Sequence, residues 1–169
     1  MVTVASTWRF ESVLDVGCGA GNLLNLFKHG DVKVAGADLS PKMIEKAKKR
    51  LGKTADLRVA DSENLPWSAG TFDLVVSTDS LHHWPDPVKA FSEMRRVLKL
   101  EGRVIIGDVW VPSLLRQLGN LLVRFGKEGD VRVYSEGEVR RMLNEAGFFN
   151  VERAASSLSA ILMHAKARK

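Results

Sequence analysis

The chain has 169 residues, 45% of them hydrophobic and 27% charged, with 25 Lys+Arg against 20 Asp+Glu and a formal charge of +5. One soluble globular domain is expected from these figures, able to bury on the order of 70% of its unfolded surface around one core. The single cysteine, Cys18, excludes a disulfide scaffold and a Cys-rich zinc module, and no apolar run reaches the roughly 18 residues of a membrane span. Residues 1–10 carry neither a basic nor an apolar leader segment, so a cytoplasmic location is the expectation; no metal is expected, and the positive excess permits an anionic partner without requiring one.

In chain order, residues 12–16 form a short apolar run ending at Gly17, which predicts a strand. Leu23, Leu24, Leu26 and Phe27 give a helical face expected to end at Gly30, and residues 32–37 read as a second strand. Ser40-Pro41 then supplies an N-cap with proline at the first helical position. Met43, Ile44, Ala47 and Leu51 fall on one side of that helix, and Lys42, Lys46, Lys48, Lys49, Arg50 and Lys53 on its wet side. The basic group reads as a solvated face, because no aromatic residue is interleaved to stack on bases.

Residues 57–60 and 72–77 predict the third and fourth strands. Asp86-Pro87 repeats the cap-plus-proline start, and Val88, Phe91, Met94 and Leu98 carry that helix inward. Glu101-Gly102 is expected to turn the chain into a fifth strand over 103–107. Leu114, Leu118, Leu121, Leu122 and Phe125 form an apolar stripe, either a helix over a site mouth or an ordinary core helix. Ser135 with Glu138 is a capping box opening a helix that stops at Gly147, and 151–155 and 160–165 read as two weaker strands. Alternating strands and helices without repeats or linkers predict one α/β domain over 1–169, with a mostly parallel sheet covered on both faces.

In such folds ligands sit beyond the carboxyl ends of the strands, where strand order reverses. After the first strand comes Asp15-Val16-Gly17-Cys18-Gly19-Ala20-Gly21-Asn22, a bend that lets main chain approach a ligand. After the second comes Asp38, placed to accept from both hydroxyls of a ribose, and after the third comes Asp61 followed by Ser62. A phosphate-binding loop would need Gly-Lys-Ser/Thr, and the dinucleotide fingerprint would need glycine where Asn22 stands. The absence of Lys and Arg between Asp15 and Phe27 suits a zwitterionic or cationic ligand better than a pyrophosphate.

Val13-Leu14-Asp15-Val16-Gly17-Cys18-Gly19-Ala20-Gly21 resembles the first motif of class I S-adenosylmethionine-dependent methyltransferases. Ala37-Asp38-Leu39-Ser40 resembles their second motif, and Ala60-Asp61-Ser62-Glu63-Asn64-Leu65-Pro66-Trp67 their third. Phe72-Asp73-Leu74-Val75-Val76-Ser77, then Leu81-His82-His83-Trp84 and Arg95-Arg96-Val97-Leu98-Lys99, are similar to the ubiquinone/menaquinone-biosynthesis-like branch, also called methyltransferase type 11. The resemblance implies a Rossmann-like three-layer sandwich whose seven-stranded, mostly parallel sheet ends in an antiparallel strand. It implies S-adenosylmethionine as methyl donor and S-adenosylhomocysteine as product. The backbone of Gly17, Cys18, Gly19 and Gly21 would run along the methionine moiety, with Asp15 near its amino group. Asp38 would hold the ribose diol, Asp61 the adenine amine, Ser62 the ring edge and Leu39 the ring face. Ser77 and Thr78 would lie near the transfer site.

His82 and His83 are the candidate catalytic pair, either as a proton acceptor or as structural residues fixing the loop after strand four. Cys18 reads as a packing residue, and Trp67, Trp84 and Trp110 as core, with Trp84 also a candidate for an acceptor pocket. A small-molecule acceptor is the expected partner. An RNA acceptor, an NAD(P)-binding oxidoreductase and a non-catalytic donor-binding module are the alternatives. The family carries helices before its first strand where residues 1–11 stand here, so the expected cover is the 110–134 segment or a second subunit in a homodimer. Leu100-Glu101-Gly102 replaces the family's Pro-Gly-Gly and predicts an altered turn.

Overall fold

The computed structural model describes residues 5, 8–28, 31–109, 132–156 and 160–167. The expected stripe over 114–125, Trp110, Gly30 and most of the expected 110–134 cover lie outside them.

Seven strands form one sheet: β1 (Ser12–Val16), β2 (Lys33–Asp38), β3 (Ala55–Val59), β4 (Phe72–Thr78), β5 (Leu98–Val109), β6 (Phe148–Ser156) and β7 (Ala160–Ala167). Their spatial order is β3-β2-β1-β4-β5-β7-β6. The pairs among β1 to β5 are parallel, and β7 runs antiparallel to both its neighbours, β5 and β6. The mostly parallel sheet with an antiparallel last strand is therefore as the sequence led one to expect. Its chain order reverses between β1 and β4, and their carboxyl ends open a crevice there.

The described helices are α1 (Leu24–Phe27), α2 (Pro41–Leu51), α3 (Pro87–Val97) and α4 (Glu136–Glu145). Alternation along β1 sends Val13 to one face and Leu14 with Val16 to the other. Val13 joins Leu24, Phe27, Ile44, Ala47 and Leu51 from α1 and α2. Leu14 and Val16 share their core with Phe91, Met94 and Leu143 from α3 and α4. Two apolar layers therefore clamp the sheet at its centre, where β1 is buried along its whole length, while at the edge β3 fully buries only Leu57.

The starts of these helices follow from their caps. Ser40 accepts from the Met43 N–H, Asp86 from the Lys89 N–H at 3.0 Å, and Ser135 and Glu138 close the capping box reciprocally. Two expectations change. The helix after β1 is a single turn, because the glycine bend continues through Gly21, whose N–H bonds to the Cys18 carbonyl, and Leu26 is left 58% exposed. Glu101-Gly102 is no turn ahead of the fifth strand. β5 already begins at Leu98, opposite Phe72, and the pairing slips before Arg103 meets Leu74 while Glu101 takes φ +61. A step of two residues on β4 is thus matched by a step of five on β5, and the three extra residues are taken up in a local bend. No helix among the described residues is long and apolar enough to cross a membrane.

Candidate active site

A cavity of about 480 Å³ lies at the crevice. Its wall takes Val16 and Gly17 from the end of β1, and Ala37, Asp38, Leu39 and Ser40 from the end of β2. Ala60, Asp61 and Ser62 follow β3, and Ser80, His83, Trp84 and Pro85 follow β4. Four strand ends thus converge on one space.

The glycine bend is anchored to β2. Gly17 and Cys18 both donate their N–H groups to the Ala37 carbonyl at 2.9 Å, and the Gly19 N–H donates to Asp38 Oδ2 at 2.8 Å. Asp38 Oδ1 accepts from the Ser40 N–H at 2.9 Å. One carboxylate therefore ties the β1 bend to the start of α2, and each of its oxygens keeps acceptor capacity toward the cavity. Gly17 has φ +76, and a Cβ there would lie 2.5 Å from Ser80 Cβ and Oγ. Only glycine permits that approach of the bend to the β4 loop.

Asp15 sits at 1% exposure, and among the described residues its Oδ1 has no hydrogen-bond partner. Burial, with Asp38 nearby, raises its carboxyl from an ordinary 3.8 to about 7. Burial, together with Asp15 and Asp38, also pushes the Cys18 thiol far up. Its Sγ lies 3.8 Å from the Gly19 carbonyl, and the side chain is buried in the apolar cluster that includes Val13 and Leu24.

Asp61 Oδ1 accepts from the Glu63 N–H at 2.9 Å and lies 3.5 Å from Ser62 Oγ. Leu39 is 73% exposed at the cavity rim and presents an apolar surface there. Ser77 is buried and its Oγ pairs with Ser80 Oγ at 2.7 Å, while Ser80 Oγ also reaches the Val16 carbonyl at 3.3 Å. Ser77 is thus joined to the cavity wall by Ser80, which sequence reasoning missed, and Thr78 pairs with Gly107 inside the sheet. Gly17, Asp38, Leu39, Asp61, Ser62 and His83 form part of the cavity wall, whereas Asp15, Cys18, Gly19, Gly21, Ser77, Thr78 and His82 do not line it.

Trp84 is both core and wall: it is 8% exposed, meets Phe91 edge-on at 5.7 Å and lines the cavity. Trp67 is core, its Nε1–H bonded to Asp56 Oδ2 at 2.8 Å. His82 and His83 lie in a tight turn after β4 with ring centroids 4.1 Å apart. Asp108, near the end of β5, approaches His82 and was also missed. Its signal was available: it is an acid at the carboxyl end of a strand, the same criterion that singled out Asp38 and Asp61.

Residues 14–106 match the family described as Methyltransferase domain. The chain is similar to 27-O-demethylrifamycin SV methyltransferase of Amycolatopsis mediterranei, 36% identical over 146 residues, which cover 81% of this chain and 53% of that protein. It is 34% identical over 113 residues to demethylmenaquinone methyltransferase of Thermotoga maritima, covering 66% of this chain and 49% of the relative. The chain thus spans about half the length of these curated relatives. The crystal structure of the YcgJ protein of Bacillus subtilis shares the fold, with a TM-score of 0.81 over 99% of this chain and 97% of that one at 21% identity.

Proposed function

The chain belongs to the methyltransferase-domain family, and on that premise we propose that it takes S-adenosylmethionine as methyl donor at the crevice and methylates a small-molecule acceptor. The family implies this donor, and the observation that carries the reading is the convergence of Asp38 and Asp61 on one cavity beside the Gly17 bend. About 480 Å³ falls within the range of roughly 300–1,000 Å³ common for small-molecule sites.

The residues present fit the donor. Asp38 retains acceptor capacity for a ribose diol, Asp61 and Ser62 offer polar atoms to an adenine edge, and the exposed Leu39 offers an apolar face to the ring. The unpartnered, buried Asp15 Oδ1 favours a cationic amino group nearby, with the Gly17, Cys18, Gly19 and Gly21 backbone along the methionine part. When bound, the donor supplies a sulfonium methyl for SN2 displacement, a step in which charge disappears. Trp84 and Pro85 would offer the acceptor an apolar wall, and alignment of acceptor with donor would supply much of the acceleration. The relatives named for demethylrifamycin and demethylmenaquinone support a small-molecule acceptor here.

Thermal melting separates this reading from a nicotinamide-dependent one. S-adenosylhomocysteine at a hundredfold excess over its Kd stabilises by about 2.7 kcal/mol, an upward Tm shift of roughly 5–10 °C for a domain of this size. NAD is expected to give no shift. A shift with NAD alone would contradict the reading.

A further inference from the structure

The charge of the chain is gathered on one helix. Between Pro41 and Thr54 stand Lys42, Lys46, Lys48, Lys49, Arg50 and Lys53 against a single acid, Glu45. Their net of +5 equals the formal charge of the whole chain, so the rest of the sequence is balanced. All six cations are exposed. Lys42, Lys46, Lys49 and Arg50 recur at i, i+4, i+7 and i+8 and share one face of α2, opposite the buried Ile44, Ala47 and Leu51. Elsewhere Lys89, Arg132 and Arg140 each have a carboxylate partner. Of the six α2-side cations only Lys49 has one among the described residues, Glu45 at 2.6 Å.

The same side of the sheet carries apolar surface. Leu26 on α1 is 58% exposed and Val59 at the end of β3 is 51% exposed, two of the four large hydrophobic residues left exposed among those described. α2 packs against both α1 and β3. Val59 falls on the α2 face by alternation with Leu57, which shares a core cluster with Ile44, Ala47 and Leu51. Periodicity alone reads the basic residues as a solvated face; the fold adds exposed apolar side chains on the elements packed beside them.

We propose that this face docks on an anionic lipid bilayer, with the α2 cations on the headgroups and Leu26 and Val59 at the boundary between headgroups and acyl chains. Two features favour lipid over nucleic acid. Five of the six cations are lysines, point charges without the guanidinium fork, and no aromatic residue in 41–54 can stack on a base. Against a phosphate backbone Leu26 and Val59 would stay in water, whereas the interfacial layer of a bilayer takes up apolar side chains. Each lysine near an anionic bilayer strengthens attachment about fivefold, so a cluster of this size holds the protein to the surface without a spanning helix. Ser40 caps α2 and also lines the cavity, so attachment through this helix keeps the cavity rim beside the lipid. The inference does not depend on the methyl-transfer reading.

Co-sedimentation with vesicles, with neither donor nor acceptor present, tests it. The unaltered chain is expected to bind phosphatidylcholine vesicles that contain phosphatidylglycerol and not pure phosphatidylcholine. Most of that binding is expected to disappear between about 0.1 M and about 1 M salt, as the screening length falls from about 10 Å to about 3 Å. Lys42→Gln, Lys46→Gln and Arg50→Gln together are expected to weaken it about 100-fold. The charge-matched variant Lys89→Gln, Arg141→Gln, Arg153→Gln is expected to lose far less, with melting curves confirming that both triple variants are folded. An environment-sensitive dye on Val59→Cys is expected to shift to the blue on anionic vesicles, Cys18 being buried and spared from labelling. The same dye on Glu152→Cys, on the β6 edge across the sheet, is expected to stay unshifted. Equal losses from the two triple variants, equal dye shifts at both edges, or no retention on anionic vesicles would overturn the inference. Capture of single-stranded RNA in place of vesicles would overturn it in favour of a nucleic-acid surface. Each of these results leaves donor binding, and with it the methyl-transfer reading, untouched.

Discussion

Asp15 couples the site to pH. Its carboxyl ionises at about 7 in the folded chain against an ordinary 3.8, through burial first and Asp38 second. Between those values the folded state holds a proton that the unfolded chain has released, so this residue's contribution to stability falls as pH rises and levels off above about 7. Asp15→Asn removes the ionisation and with it that slope. Melting of the ligand-free protein is expected to show the variant gaining several degrees on the parent between about pH 5 and about pH 8, with weakened donor binding. Parallel pH profiles for the two proteins would contradict this account of the buried carboxyl. The residue types were legible in the sequence, because an acid opening a glycine bend and acids at successive strand ends are local patterns. Burial of Asp15 behind the bend was not, since it depends on α1 and α2 closing over the face that Val13 shares.

At the scale of elements, caps place the cavity wall. Asp86 starts α3 directly after Trp84 and Pro85, and its own N–H donates to Glu63 Oε1 at 3.0 Å, tying the β4 loop to the β3 loop. Asp86→Ala is expected to cost about 1 kcal/mol, read as a lower urea midpoint at unchanged slope, while Asp86→Asn keeps most of the cap. Equal losses from both substitutions would show that the side-chain cap carries no stability. The strand and helix starts were readable because proline, cap residues and hydrophobic period act within a few positions; β1 falls where its apolar run predicts. The one-turn α1 and the bulge at Glu101 were not readable. The first depends on how the bend folds back on β2, and the second on a β4–β5 register set across the sheet. The same long-range pairing brings Asp108 to His82 across 26 residues.

At the scale of the molecule, the reversal between β1 and β4 gathers four strand ends into one cavity, and insertion of β7 between β5 and β6 completes the sheet away from it. Strand insertion of this kind has no local signature, and only the family resemblance anticipated an antiparallel ending. The +5 charge does not build this site, whose described wall carries Asp38 and Asp61 and no lysine or arginine. On the proposed reading, two strand-end carboxylates hold the donor. Calorimetric titration of S-adenosylmethionine into the unaltered protein and into the Asp38→Ala, Asp61→Ala double variant tests this most directly. Saturable heat is expected from the first. In the double variant, which loses at least two hydrogen bonds to charged groups at about 1.5–3 kcal/mol each, affinity is expected to fall by about 100-fold or more. No heat from the folded parent, or equal affinity in both proteins, would contradict the account.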